Sequence, residues 1–455
     1  MTHIVHPSRL GFAALVLGLG ACVDDSRSIT PPESIDVQLR QAISRNYGVV
    51  PIAPMPPQDA AQVALGRALF FDKILSGNKD VACGTCHLPQ QHLQDGLSLA
   101  IGTGGVGEGP TRTLGPGRQF HARSAPSLLN DGLGLFYVFA DGRVSGSRSG
   151  PFQTPAGAAL PAGLPNILAA QAMFPVLSRQ EMRGDSGDVD SLGAPNELAQ
   201  YGDSQLPEIW HGVMQRLLAI PEYVTLFHAA FPGTPDNALG FQHAATAIAA
   251  FEMQSFTKTD SPFDRYLARN DAALSATEKR GALLFFGTAK CASCHNGPLL
   301  GGDGFANTGA PQLGPGTGIG APLDFGRGAL PNNTFYKFAF RIAPLRNVEL
   351  TAPYFHDGVY PTLTAVVRHY SDIPTALRNY DVSQVAPELR SMYHGDEATA
   401  TAVLAGLDFR LQTPLKLTPE QISDLVAFLK SLTDPAARDL SPIVPARVPS
   451  GLAVP

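Results

Sequence analysis

The chain has 455 residues, 44% of them hydrophobic and 16% charged, with 46 glycines and 39 prolines, which suits one or two globular domains with many irregular loops. A net charge of -6 leaves no basic stripe for nucleic acid, so partners are expected among proteins and small molecules.

Arg9 precedes an apolar run from Leu10 to Gly20 that reads as a secretory signal and is too short to span a bilayer in comfort. The run ends in Leu19-Gly20-Ala21-Cys22, which resembles a bacterial lipobox. Residues 1–22 are therefore expected to be a lipoprotein signal peptide, with Cys22 the lipidated first residue after cleavage. Val23, rather than Asp, at the next position fits sorting to the outer membrane, with the protein facing the periplasm. The alternative is an ordinary signal peptide that happens to carry a cysteine. Residues 23–58 read as a Pro-rich tether and N-terminal segment, in which Ser34 to Tyr47 has apolar residues at helical spacing. Asp59 to Phe71 reads as a helix that delivers Cys83-Gly84-Thr85-Cys86-His87.

Glycine and proline cluster at Gly102 to Gly117, Ser145 to Gly163 and Gly297 to Gly328, stretches read as ordered crevice walls rather than linkers. Leu206 to Phe231 and Leu239 to Phe256 read as long apolar-faced helices, and Thr259 to Ala276 as a domain boundary. Beyond it Lys279-Arg280-Gly281-Ala282-Leu283-Leu284-Phe285-Phe286 precedes a second Cys291-Ala292-Ser293-Cys294-His295, as Ala64-Leu65-Gly66-Arg67-Ala68-Leu69-Phe70-Phe71 precedes the first. Such self-similarity points to two related units. Asn333 to Ile342 reads as a short strand. Thr418-Pro419-Glu420 opens a last amphipathic helix through Leu432, with a Thr cap and Pro at the first position.

Cys-x-x-Cys-His is the attachment pattern of c-type haem. The two thiols add across the haem vinyl groups, and the histidine beside the second cysteine ligates the iron. A bare Cys-x-x-Cys also serves as a redox dithiol or half a zinc site. The added histidine, twice, in an exported chain selects two covalent haem c groups, on Cys83, Cys86 and His87 and on Cys291, Cys294 and His295. The five cysteines then divide into four haem thiols and Cys22, leaving none for a disulfide. The expected fold is mainly α, with long irregular loops. It comprises two cytochrome c-like haem domains, at 59–258 and 259–435, and a tail at 436–455.

Leu65 to Ser76, Arg123-Ser124-Ala125-Pro126-Ser127, Asp141-Gly142-Arg143 and Leu345 to Gly358 together resemble the bacterial diheme cytochrome c peroxidase family, including its MauG-type branch. The resemblance runs in order from about Asp59 to Leu432. It implies hydrogen peroxide as substrate, reduced at the first haem, and a second haem that stores or passes electrons. Gln171-Ala172-Met173-Phe174-Pro175 followed by Glu181-Met182 is similar to the family's segment over the peroxide-binding iron. Glu181 is then the proton carrier and Gln171 the hydrogen-bond donor that positions peroxide. Counting on from Thr351-Ala352-Pro353 puts Tyr370 where the MauG-type enzymes have an axial tyrosine on the second iron; His369 and Met392 are the other candidates. An anionic oxygen ligand lowers the potential, whereas a thioether favours ferrous iron.

The family's blocking histidine corresponds to Pro116, so the resemblance implies an open first iron, with His121 the alternative blocker. The family's tryptophan before Asp-Gly-Arg is replaced by Phe139-Ala140, which leaves Tyr137, Phe139 or direct contact of the haem edges for electron transfer. An interdomain calcium site is implied at the backbone oxygens of Thr351 and Pro353, with Ser124 in place of the usual Asn. The expectation is a MauG-like peroxidase that oxidises a protein partner. Its rivals are a peroxidase fed by a small cytochrome or cupredoxin, and a diheme electron carrier without peroxide chemistry. Contact with a membrane is expected only through the lipid anchor.

Overall fold

In the computed structural model, residues 33–45, 48–146 and 151–455 are described; the leader and Cys22 lie outside them. The helix Ala60–Phe71 starts where Asp59 accepts a hydrogen bond from the Gln62 amide (2.9 Å), satisfying one of the free N–H groups of a first turn. The last amphipathic helix, Pro419–Lys430, is opened by Thr418, whose hydroxyl accepts from the Gln421 amide (3.2 Å). The expected N-terminal helix covers Ile35–Arg45.

Two expectations are corrected. The run from Leu206 to Phe231 is two helices, Leu206–Leu218 and Pro221–Ala230, because Pro221 has no N–H to give and its ring excludes the residue before it from helical geometry. Within Asn333 to Ile342 only Phe340–Arg341 is strand, paired antiparallel with Phe305–Ala306. A second two-stranded pair joins Tyr137–Val138 to Val144–Ser145. The rest of the described chain is helices and loops, so the protein is mainly helical.

The internal repeat is geometrical as well as sequential. Ala60–Phe71 crosses Phe241–Phe256 at Gly66, and Ala276–Phe286 crosses Pro419–Lys430 at Gly281; a Cβ on either glycine would strike a backbone carbonyl of the partner helix. Beside the first crossing Phe70 and Phe71 lie 5.5 and 6.0 Å from Phe251. Beside the second, Phe285 and Phe286 lie 5.1 and 5.9 Å from Phe428. Each pair of helices seeds its own hydrophobic core.

The chain ends cross between these cores. Leu39 and Ile43 of the first helix pack in the second core. The last segment returns to the first, where Ala437, Leu440 and Val448 are buried. Arg67 donates to the carbonyls of Ile443 and Val444 (2.7 and 2.9 Å). At the sequence's expected boundary, Pro262–Leu267 is a helix with Phe263 and Tyr266 buried in the second core and Asp264 paired with buried Arg346 at 2.8 Å. Ile35–Pro455 accordingly group as one unit. Among the described residues no helix is long and apolar enough to cross a membrane.

Candidate active site

One cavity of about 900 Å³ touches both Cys-x-x-Cys-His motifs. Cys83, Cys86 and His87 line one part and Cys291, Cys294 and His295 another; Gln171, Glu181, Tyr370, Thr351 and Pro353 also line it. The tertiary structure thus brings both motifs, Gln171, Glu181, Tyr370, Thr351 and Pro353 to a single cavity.

The two motifs are held alike. The amide of His87 donates to Cys83 O and that of His295 to Cys291 O, both at 2.9 Å. Nδ1 of His87 sits 3.0 Å from Leu93 O, and Nδ1 of His295 sits 3.1 Å from Leu300 O. A carbonyl can only accept, so Nδ1 carries the proton and Nε2 keeps its lone pair. Burial lowers the pKa of both rings, that of His295 to about 4 against the opposing Leu300 carbonyl, so both are neutral near pH 7. Burial also pushes the Cys83 and Cys291 thiols up to about 12, the reverse of the lowered pKa that a redox dithiol needs. Two thiols and a lone-pair imidazole, repeated on one large cavity, fit two haem c groups.

Around the first motif, Ser178 caps the turn Arg179–Arg183 and accepts from the Glu181 amide (3.3 Å), while Glu181 O accepts from Thr103 N (3.1 Å). This fixes the segment whose carboxylate lies within electrostatic range of His87, Cys86 and His121. Gln171 comes from the short helix Ile167–Ala172, capped by Asn166. His121 lines the same cavity, and its buried Nε2 has no hydrogen-bond partner; Pro116 is not on the wall.

At the second motif, Tyr370 lines the cavity within electrostatic range of Cys291 and Cys294, and its hydroxyl is held by Thr308. His369 has both ring nitrogens engaged, Nδ1 with Tyr360 Oη (2.9 Å) and Nε2 with Thr308 O (2.8 Å). Neither His369 nor Met392 lines the cavity. Ser124 donates its hydroxyl to His356 O (3.2 Å), and among the described residues no three His, Cys, Asp or Glu gather as a metal site. Thr351 and Pro353 bring no side-chain carboxylate of the kind calcium favours.

Between the motifs, Phe139 lines the cavity with the Arg143 guanidinium 3.6 Å over its ring. Tyr137 packs at 4.8 Å on Phe305. Trp210 is buried off the cavity wall, donating its indole N–H to Met173 O (2.7 Å). Arg123 binds Asp141 and Asp324 at 2.7 and 2.6 Å. This ties the Arg-x-x-Pro and Asp-Gly-Arg segments to the loop Gly297 to Gly328, whose residues 316–318 also line the cavity.

The family model of the di-haem cytochrome c peroxidases matches residues 60–272. Cytochrome c551 peroxidase of Pseudomonas aeruginosa is 31% identical over 392 residues, covering 86% of this chain and 84% of that protein. The chain belongs to the di-haem cytochrome c peroxidase family. This family member is a peroxidase-type oxidoreductase whose cofactor class is haem c. It is also 29% identical to the methylamine utilization protein MauG of Methylorubrum extorquens, over 95% of this chain and 96% of that one. A crystal structure of a MauG-like protein associated with microbial copper homeostasis superposes with a TM-score of 0.58 at 25% identity, covering 88% of this chain and 97% of the other.

Among the titratable residues on the peroxidase's cavity wall that sequence reasoning missed are Arg341, Asp131 and Glu252. Arg341 has Nε and Nη1 buried and unpartnered. Burial pushes the carboxyls of Asp131 and Glu252 up to about 6 and 8. Glu252 carried a legible signal, a single acid in the otherwise apolar or neutral helix Phe241–Phe256; Arg341 and Asp131 sit in loops and strand ends without one.

Proposed function

We propose that the chain is a MauG-like diheme peroxidase in which hydrogen peroxide is reduced at the His87 side of the cavity and a protein partner is oxidised through the His295 side. One observation carries this reading: Tyr370, and neither Met392 nor His369, reaches the second motif's part of the cavity. An oxygen ligand there favours storing oxidising equivalents over taking electrons from a small cytochrome or cupredoxin.

The proposed attachment is Cys83, Cys86 and His87 for one haem and Cys291, Cys294, His295 and Tyr370 for the other; when bound, the haems supply the redox-active iron. Glu181 takes a proton from the near oxygen of peroxide and returns it to the departing one, and Gln171 holds the peroxide by its amide. One hydrogen peroxide takes up two electrons and two protons and leaves as two waters. Residues 1–22 and Cys22 would place the enzyme, lipid-anchored, on the periplasmic face of the outer membrane.

The test is the EPR and absorption spectrum of the ferric holoprotein, wild type beside Tyr370→Phe, before and after one equivalent of peroxide. One high-spin and one low-spin haem, with the low-spin signal altered by the substitution and a prompt response to peroxide, is expected. Two low-spin haems that respond only after partial reduction would establish the cytochrome-fed enzyme; two that never respond would leave an electron carrier.

A further inference from the structure

Beyond Tyr370, an unbroken line of aromatic rings leaves the cavity. Tyr370 stacks on Phe355 at 6.0 Å and 20°, Phe355 meets Tyr360 at 5.2 Å, Tyr360 meets Tyr380 at 5.5 Å, and Tyr380 meets Tyr393 at 5.2 Å. Tyr360 is 4% exposed, whereas Tyr380 and Tyr393 are only half-buried. The line therefore runs from the second motif through a buried tyrosine toward solvent.

At its middle is a hydrogen bond of defined direction. Nε2 of His369 lies 2.8 Å from Thr308 O, and since a carbonyl only accepts, Nε2 carries the ring proton. Nδ1 is then the lone-pair nitrogen, and the Tyr360 hydroxyl, 2.9 Å away, donates to it. A buried phenol that loses an electron becomes a strong acid and needs a base within hydrogen-bond reach. Tyr360 has a base already placed on its O–H, and the Thr308 carbonyl holds the imidazole in the accepting tautomer.

We propose that Tyr360 is a redox-active tyrosine that yields one electron to the oxidising equivalent left by peroxide reduction, its phenolic proton passing to His369 Nδ1. In this step the Tyr360 O–H bond breaks, an N–H bond forms on His369, and the tyrosine is left as a neutral radical. A one-electron reductant at the surface returns the electron by way of Tyr393 and Tyr380, and the proton recrosses the hydrogen bond. Two such electrons account for one peroxide. The step rests on the proposed function only in needing oxidising equivalents near Tyr370.

The experiment mixes holoprotein with one equivalent of hydrogen peroxide and follows haem absorption and freeze-quenched EPR, in wild type, Tyr360→Phe and His369→Gln, with and without ring-deuterated tyrosine. Wild type is expected to give an organic radical that narrows with deuterated tyrosine and is lost in Tyr360→Phe. In His369→Gln it should form about 10²-fold more slowly, the scale on which a positioned base assists proton transfer. A radical that survives Tyr360→Phe, or haems that react while no tyrosyl signal forms, overturns the proposal. If the haems ignore peroxide, the functional reading fails instead, and a photogenerated ruthenium tris(bipyridine) oxidant replaces peroxide. The same loss of the tyrosyl signal in Tyr360→Phe then supports the assignment, and its absence from wild type overturns it.

Discussion

Gly66 packs its Cα directly against the backbone carbonyl of Ala247, so close that any side chain at 66 would collide with that oxygen, and Gly281 repeats the contact on Asp424. The obstacle is backbone in the middle of the helix Phe241–Phe256, which cannot swing aside as a side chain tip can. Gly66→Ala is expected to separate the crossing helices and destabilise the protein by about 1–3 kcal/mol or more. Gly281→Ala should cost a similar amount in the second core. Thermal unfolding of the two variants beside wild type checks this; unchanged midpoints would mean that the crossings give way freely.

The Arg123–Asp141–Asp324 network predicts a specific response to acid. Burial by itself raises the Asp141 pKa, but the Arg143 and Arg123 guanidiniums outweigh it and bring it from 3.8 to about 2. A lowered carboxylate stabilises the fold above its unfolded value, and that contribution is lost as pH falls from about 4 through about 2, some 2 kcal/mol in all. Asp141→Asn should remove this part of the acid transition while costing about 1.5–3 kcal/mol at neutral pH, because Arg123 loses one of its two charged partners and keeps Asp324. Denaturant titrations of wild type and variant at neutral pH and across the acid range would show both effects, and parallel pH profiles would count against the network.

Covalent haem content is predicted to be separable by motif. Replacing Cys83 and Cys86 by serine should leave a protein carrying one covalent haem, and replacing Cys291 and Cys294 the other, each read as the loss of one haem mass in denaturing mass spectrometry. Full haem content in either double variant would rule out that attachment site. Because each motif faces its own core, the remaining haem should keep its normal absorption.

Glu181 and Gln171 should separate in kinetics. Glu181→Gln removes the proton carrier and is expected to slow the reaction with peroxide by about 10²–10⁴. Gln171→Ala takes away one neutral hydrogen bond and should cost about 0.5–1.5 kcal/mol, roughly tenfold. Stopped-flow rates against peroxide concentration distinguish the two; equal small losses would remove Glu181 from the proton path.

Motif, repeat and caps were all legible in the sequence. Each Cys-x-x-Cys-His closes its own backbone turn, Asp59 and Thr418 cap within three residues, and the Gly66 and Gly281 octets mark equivalent crossings. Their chemistry is complete within a few positions, so spacing alone encodes it. The resemblance added Gln171, Glu181 and Tyr370, and the fold carries all three to one cavity wall.

What only the tertiary structure decided is where distant segments meet. Arg123 finds Asp324 across 201 positions, Arg67 finds the carbonyls of Ile443 and Val444, and His369 is held by Tyr360 and Thr308. No periodicity records these pairings. Hydrophobic patterning says that a face is buried but not against which partner, and in a chain this rich in loops the direction of each return is set by packing of the whole. The sequence therefore specified the reactive groups, and the fold selected which of them share a cavity and which are already occupied by one another.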